Sequence, residues 1–287
     1  GIPRRSPLVE MSPLVTALVL GAALLHASWN AIIKSSRDVM LDTALVAAGA
    51  GVLALPLSAY VPLPGNASWP YLGASAAIHV AYFWTLAAAY RIGDLGHAYP
   101  LMRGTAPLLV ALFGVALLDE RPGATTWLGI VLISAGVLSL GLLQQGRAHR
   151  GATLWAFANA AIIAGYTLVD GTGARLSGTP AGYVAWLFWL QGLLFVALVA
   201  VLRKRAALDY LGRNWQRGLR GGLCLISAYG IVLWAMTQAP IAAVAALRET
   251  SVIFAALLGS LFLKEPFGRQ RLIASCAVAL GIIALRN

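Results

Sequence analysis

Apolar stretches long enough to cross a bilayer follow one another almost without interruption through this sequence, and that succession leaves it few folds. A transmembrane helix needs about 20 predominantly apolar residues. Such segments run at 13–33, 42–60, 69–90, 95–118, 124–143, 153–170, 181–202, 221–237, 240–263 and 270–285. With 60% hydrophobic and only 11% charged residues, the chain departs from a soluble domain, where about a quarter are charged. The spacing predicts an all-α integral membrane protein of ten transmembrane helices. Residues 1–12 read as a tail, 13–143 and 153–287 as two five-helix halves, and 144–152 as their connector.

The net charge of +11 does not point to nucleic acid, because the basic residues cluster in short loops between apolar spans, where the positive-inside bias places them. Cys224 and Cys276 fall inside spans without CxxC spacing, so neither a disulfide framework nor a metal site is expected. No Ser/His/Asp arrangement or phosphate-binding glycine loop appears. Asp119, Glu120 and Glu265 sit at helix boundaries, where capping accounts for them. The expectation is no enzyme, no cofactor and no catalytic residue. The partners expected are a small-molecule substrate and membrane lipid, with the protein a monomer or weak dimer.

The halves repeat. Shifting residues 98–140 by 145 positions lays them on 243–285 without a gap and with 11 identities in 43 positions. These pair Arg103 with Arg248, Thr105 with Thr250, Gly114 with Gly259, Glu120 with Glu265, Gly123 with Gly268 and Gly136 with Gly281. Five spans is an odd number, so the second copy enters the membrane from the opposite side and the repeats are inverted. Outside the spans, 14 Lys and Arg fall on one side and 5 on the other. The positive-inside rule then puts both termini outside the cell.

The paired stretches Leu118-Asp119-Glu120-Arg121-Pro122-Gly123 and Leu263-Lys264-Glu265-Pro266-Phe267-Gly268 each precede a last helix ending in a glycine-containing apolar run. They resemble the closing signature of EamA-type repeats. Leu25-His26-Ala27-Ser28-Trp29-Asn30-Ala31-Ile32-Ile33-Lys34 is similar to the opening helix of that pattern. The sixth span departs from it, with Tyr166 and Asp170 in place of the Trp and Lys. The resemblance implies the ten-helix drug/metabolite transporter superfamily, whose members move small metabolites and include YddG-type amino acid exporters. It also implies the inner (plasma) membrane as the location.

A helix facing only lipid needs no polar residues, so polar and aromatic side chains three or four apart mark a face toward a cavity or a neighbour. The sixth span has the longest such face, with Trp155, Asn159, Ile162, Tyr166 and Asp170. The candidate substrate-binding set is Trp29, Asn30, His79, Tyr82, Tyr99, Trp155, Asn159, Tyr166 and Tyr229, with His26 beside them on the first span. The candidate gating or charge network is Pro100, Arg103, Pro107, Arg248 and Glu249. A buried arginine in a bilayer is costly and faces a partner or a cavity. Arg103 is expected to pair with Glu249. Glu249 is not expected to pair with Arg248, being about 100° away around a continuous helix. Pro100 and Pro107, which the second half lacks, are expected to bend the fourth span.

These residues predict a carrier that exports small metabolites, chiefly aromatic and other apolar amino acids, by alternating access. The alternatives are a proton-coupled drug or polyamine exporter, for which Glu249 is the sole deep acid, and a membrane enzyme.

Overall fold

The computed structural model describes residues 11–34, 38–92, 95–142, 150–263 and 268–286. Most of the tail, the heart of the 144–152 connector and the turn at 264–267 therefore lie outside the described residues. Among those described, the chain is all-helical: α1 (Pro13–Lys34), α2 (Val39–Tyr60), α3 (Trp69–Ile92), α4 (Leu95–Leu118), α5 (Ala124–Leu142), α6 (Arg150–Leu176), α7 (Pro180–Arg203), α8 (Arg205–Arg213), α9 (Trp215–Met236), α10 (Ile241–Arg248), α11 (Ser251–Leu263) and α12 (Arg269–Arg286). Seven of these are long and apolar enough to cross a membrane: α1, α2, α4, α5, α6, α7 and α9. Large apolar side chains such as Leu117, Leu154, Val201 and Ile283 stand exposed on the outside. A water-soluble surface does not carry apolar patches of that extent.

Helix starts follow local chemistry. Asp38 caps α2, its Oδ1 accepting from Met40 N and Leu41 N at 3.1 Å each. Thr179 caps α7, accepting from Gly182 N, with Pro180 at the first helical position.

Three expectations are corrected. The expected loop at 171–180 is helical as far as Leu176. Its glycines serve packing, since a Cβ on Gly171 would lie 2.6 Å from Ile241 and one on Gly173 2.6 Å from the Tyr183 ring. The basic stretch 203–220 is not a loop but contains α8 and the start of α9. Its exposed Leu208 and flanking arginines fit a helix lying at the membrane surface.

The ninth span is interrupted where no proline stands, at Glu249 and Thr250. There Glu249 N bonds Ala246 O at 3.0 Å and Thr250 N bonds Leu247 O at 3.2 Å. These three-residue bonds tighten the last turn of α10. The Thr250 hydroxyl also donates to Leu247 O at 2.8 Å, satisfying a carbonyl that a continuing helix would have used. By contrast α4 stays helical through both Pro100 and Pro107.

Small residues set the helix contacts. α5 and α12 lie against each other, a Cβ on Gly136 meeting Ala274 O at 2.9 Å and one on Gly281 meeting Ile133 at 2.7 Å. α2 packs between α7 and α9 through Gly51 on Gly192 and Gly49 on Gly218 and Gly222. In lipid such close approach supplies the dispersion contact that holds helices together. α3 packs on α6, α1 on α9, and α4 on α5, α6 and α10.

Candidate substrate cavity

A cavity of about 780 Å³, its open mouth included, lies among α1, α2, α3, α4, α6, α7, α9 and α10. Its lining runs from Ile33 and Thr43, beside the α1–α2 connection, to Tyr166, His79 and Arg248 deeper in. The lining residues of α1, α2 and α4 lie toward the end of the molecule carrying the α1–α2 and α7–α9 connections, while Tyr166, Phe188 and Tyr229 reach past the middle of their helices. The opposite end is sealed. There Arg175 forms an ion pair with Glu120 at 2.8 Å and donates to Met236 O at 2.7 Å and Ala239 O at 2.9 Å. Glu120 Oε1 also accepts from Ile241 N at 3.1 Å, capping α10, and Gly65 N bonds Ser177 O at 2.9 Å. Glu120 thus caps a helix of the other half, not the one beside it in sequence.

The charge network sits at the break between α10 and α11. Glu249 Oε2 meets Arg103 Nε at 2.9 Å and Oε1 meets Arg248 at 3.1 Å, with all three side chains buried. The Arg103 pair is where the repeat places it. The Arg248 pair corrects the expectation, because the 100° separation holds only for a continuous helix and the chain turns at Glu249. Arg103 also donates to His26 Nε2 at 2.6 Å and lies over the Tyr99 ring at 5.8 Å.

Aromatic rings wall the cavity. His79 stacks on Tyr166 with centroids 4.4 Å apart, Tyr82 meets Tyr166 edge-on at 5.8 Å, and Phe188 meets Tyr229 edge-on at 5.8 Å. His79 Nδ1 bonds the Ser75 carbonyl at 2.9 Å. A carbonyl only accepts, so Nδ1 carries a hydrogen.

Of the expected residues, Trp29, Asn30, His79, Tyr82, Tyr99, Arg103, Tyr166, Tyr229 and Arg248 line this space. Trp155 and Asn159 do not. Trp155 is 36% exposed near the start of α6. Asn159 is buried between helices, donating to Tyr82 O at 2.9 Å and Thr85 Oγ1 at 2.8 Å. Both share a helical face with Tyr166, but the cavity meets only the middle of that face. Pro100, Pro107 and Glu249 stand behind the wall. His26, Phe188, Gln191 and Phe195 line it as well. Gln191 is the telling addition: it is buried, and its Nε2 has no partner among the described residues. One amide midway along an apolar span was the sequence signal for it. Glu249 is also not the sole deep acid, since Asp170 is fully buried below Tyr229.

An EamA-like transporter family model matches residues 13–142 and again 150–286. The chain belongs to the EamA-like transporter family. It is 24% identical over 223 residues, covering 77% of this chain and 74% of the relative, to an uncharacterized transporter, YwfM, of Bacillus subtilis (strain 168). It is 30% identical over 125 residues, covering 42% of this chain and 81% of the relative, to an uncharacterized transporter encoded in the cobO 3' region of a Sinorhizobium species. A solved crystal structure shares the fold, with a TM-score of 0.69, 17% identity and 94% of each chain covered. This EamA-like chain is therefore a multi-pass membrane transporter, as its relatives are named.

Proposed function

We propose that the transporter carries amino acids with aromatic or other apolar side chains out of the cell across the inner membrane, by alternating access between inverted repeats. The observation that carries this reading is the cavity's chemistry. Arg103 and Arg248 are its charged lining groups, and aromatic rings form much of the rest. A guanidinium is suited to a carboxylate, and an apolar cavity with a few placed polar groups suits a small amphipathic solute. The orphaned Gln191 amide offers a second donor. A cationic drug or polyamine would meet two arginines there, which disfavours that alternative.

The inverted plan draws support from packing. Exchanging α1 with α6 and α3 with α9 turns the α3–α6 contact into the α9–α1 contact, and both are present. α5 with α12 and α2 with α7 are each exchanged onto themselves. In the ten-span count, α10 and α11 together make one broken span, with α3 and α12 added to the seven. Broken helices beside the solute are how inverted-repeat carriers present polar groups at mid-membrane. The basic loops lie at the open end, so the positive-inside rule makes this an inward-open form ready to take a cytoplasmic solute.

Purified protein should be stabilised by its solute. Ligand at one hundred times Kd adds about 2.7 kcal/mol. The Tm is therefore expected to rise saturably with phenylalanine or leucine and not with spermidine. A rise with spermidine alone would contradict the assignment.

A further inference from the structure

Behind the cavity wall, bonded to Tyr229, lies a carboxylate that the transport reading leaves unused. Asp170 is fully buried. Its Oδ2 accepts from the Tyr229 hydroxyl at 2.6 Å and its Oδ1 from the Tyr183 hydroxyl at 2.9 Å. From α3 the Ser75 hydroxyl and His79 stand near. Tyr166 of its own helix and Arg248 of α10 lie beyond His79 and Tyr229, and Tyr71 of α3 lies beyond Tyr183. Among the described residues no Lys or Arg is within ion-pair distance of it. The other buried acids differ, for Glu249, Glu120 and Asp42 each hold an arginine. A proton on Glu249 would leave two buried guanidiniums without their counter-charge, whereas a proton on Asp170 leaves the hydroxyls of Tyr229 and Tyr183 and the nearby His79 imidazole to rearrange.

We infer that Asp170 is a proton-binding site and that its proton travels with the substrate. The use made of the proton rests on the transport reading above; the proton site itself does not. The step is a proton transfer: a hydronium ion of the cavity water gives up one O–H bond and is left as water, while an O–H bond forms at Oδ2 and the carboxylate becomes a neutral carboxyl. The link to substrate is Tyr229, which lines the cavity and has one hydroxyl hydrogen. That hydrogen goes either to the Asp170 carboxylate or to a substrate, not to both. A protonated Asp170 donates to the Tyr229 oxygen and frees the hydroxyl hydrogen for a substrate carboxylate. Proton and substrate carboxylate therefore strengthen each other's binding, and the coupling is reciprocal. Tyr183 is buried between Asp170 and the sealed end, so the carboxyl stands between the two sides that alternating access must connect in turn.

Two measurements test this. Infrared difference titration of the purified full chain should show the C=O band of a protonated carboxyl growing as pH falls. Asp170→Asn should lose the band, Asp170→Glu should restore it, and Tyr229→Phe should shift its midpoint. Absence of the band in the natural chain, or its persistence in Asp170→Asn, overturns the proton site. In proteoliposomes holding a pH dye, inward movement of phenylalanine should acidify the lumen, and in Asp170→Asn the remaining movement should leave lumenal pH unchanged. Protons moving oppositely, or equally in Asp170→Asn, overturn the coupling. If no amino acid moves, the substrate class fails while the infrared titration still decides the proton site.

Discussion

Arg103, Arg248 and Glu249 carry the energetics at the residue scale. Two guanidiniums share one carboxylate, both oxygens of which are used. Removing one partner of a buried ion pair costs about 3–5 kcal/mol, because the remaining charge is left uncompensated. Glu249→Gln is therefore expected to lower unfolding stability by that order in a denaturation titration. A change below about 1 kcal/mol, the range of exposed pairs, would contradict the network. The Arg103–Glu249 contact was legible because the repeat aligns two arginines in rare intramembrane positions and supplies one acid beside the second. The Arg248–Glu249 contact was not, since it depends on a helix break that residues 241–258 announce with neither proline nor glycine. Trp155 and Asn159 show the matching limit: periodicity identifies a face, but not how far along that face the cavity extends.

At the scale of elements, the sealed end depends on one ionic joint. Arg175 near the end of α6 binds Glu120, the last carbonyl of α9 and the Ala239 carbonyl just before α10, while Glu120 caps α10. Four helix ends meet there, so loss of the arginine should loosen them together. In a background with Cys224 and Cys276 replaced, a cysteine substituted for the buried Ala239 should be protected from thiol reagents. Adding Arg175→Met should raise its labelling rate about tenfold or more, which corresponds to roughly 1.4 kcal/mol of lost closure. Equal rates would show that the joint does not hold this end shut. The joint escaped sequence reading because glycines at 171 and 173 suggested a loop. They are there to admit Ile241 and Tyr183, and the continued helix is what carries Arg175 to Glu120.

For the whole molecule, charge and cavity together support the proposed orientation and direction. Seven membrane crossings, α1 to α7, separate Ser12 from Arg213 in the ten-span plan, so the two should lie on opposite sides. With the native cysteines replaced, Ser12→Cys is expected to react with an impermeant thiol reagent on intact cells, and Arg213→Cys only after permeabilisation. Labelling of both from outside would overturn the plan. The all-helical membrane class and the duplication were legible because hydropathy and a gapless repeat are properties of the chain itself. The open end, the broken span and the orphaned Gln191 amide were not, because each arises from how distant helices meet.

Flux through purified protein tests the central claim most directly. Proteoliposomes preloaded with radiolabelled phenylalanine, tryptophan or leucine should release them saturably and only when the protein is present. Gln191→Leu should raise the half-saturating concentration about tenfold, as loss of a hydrogen bond to a charged group predicts. No protein-dependent release of any aromatic or aliphatic amino acid would contradict the account.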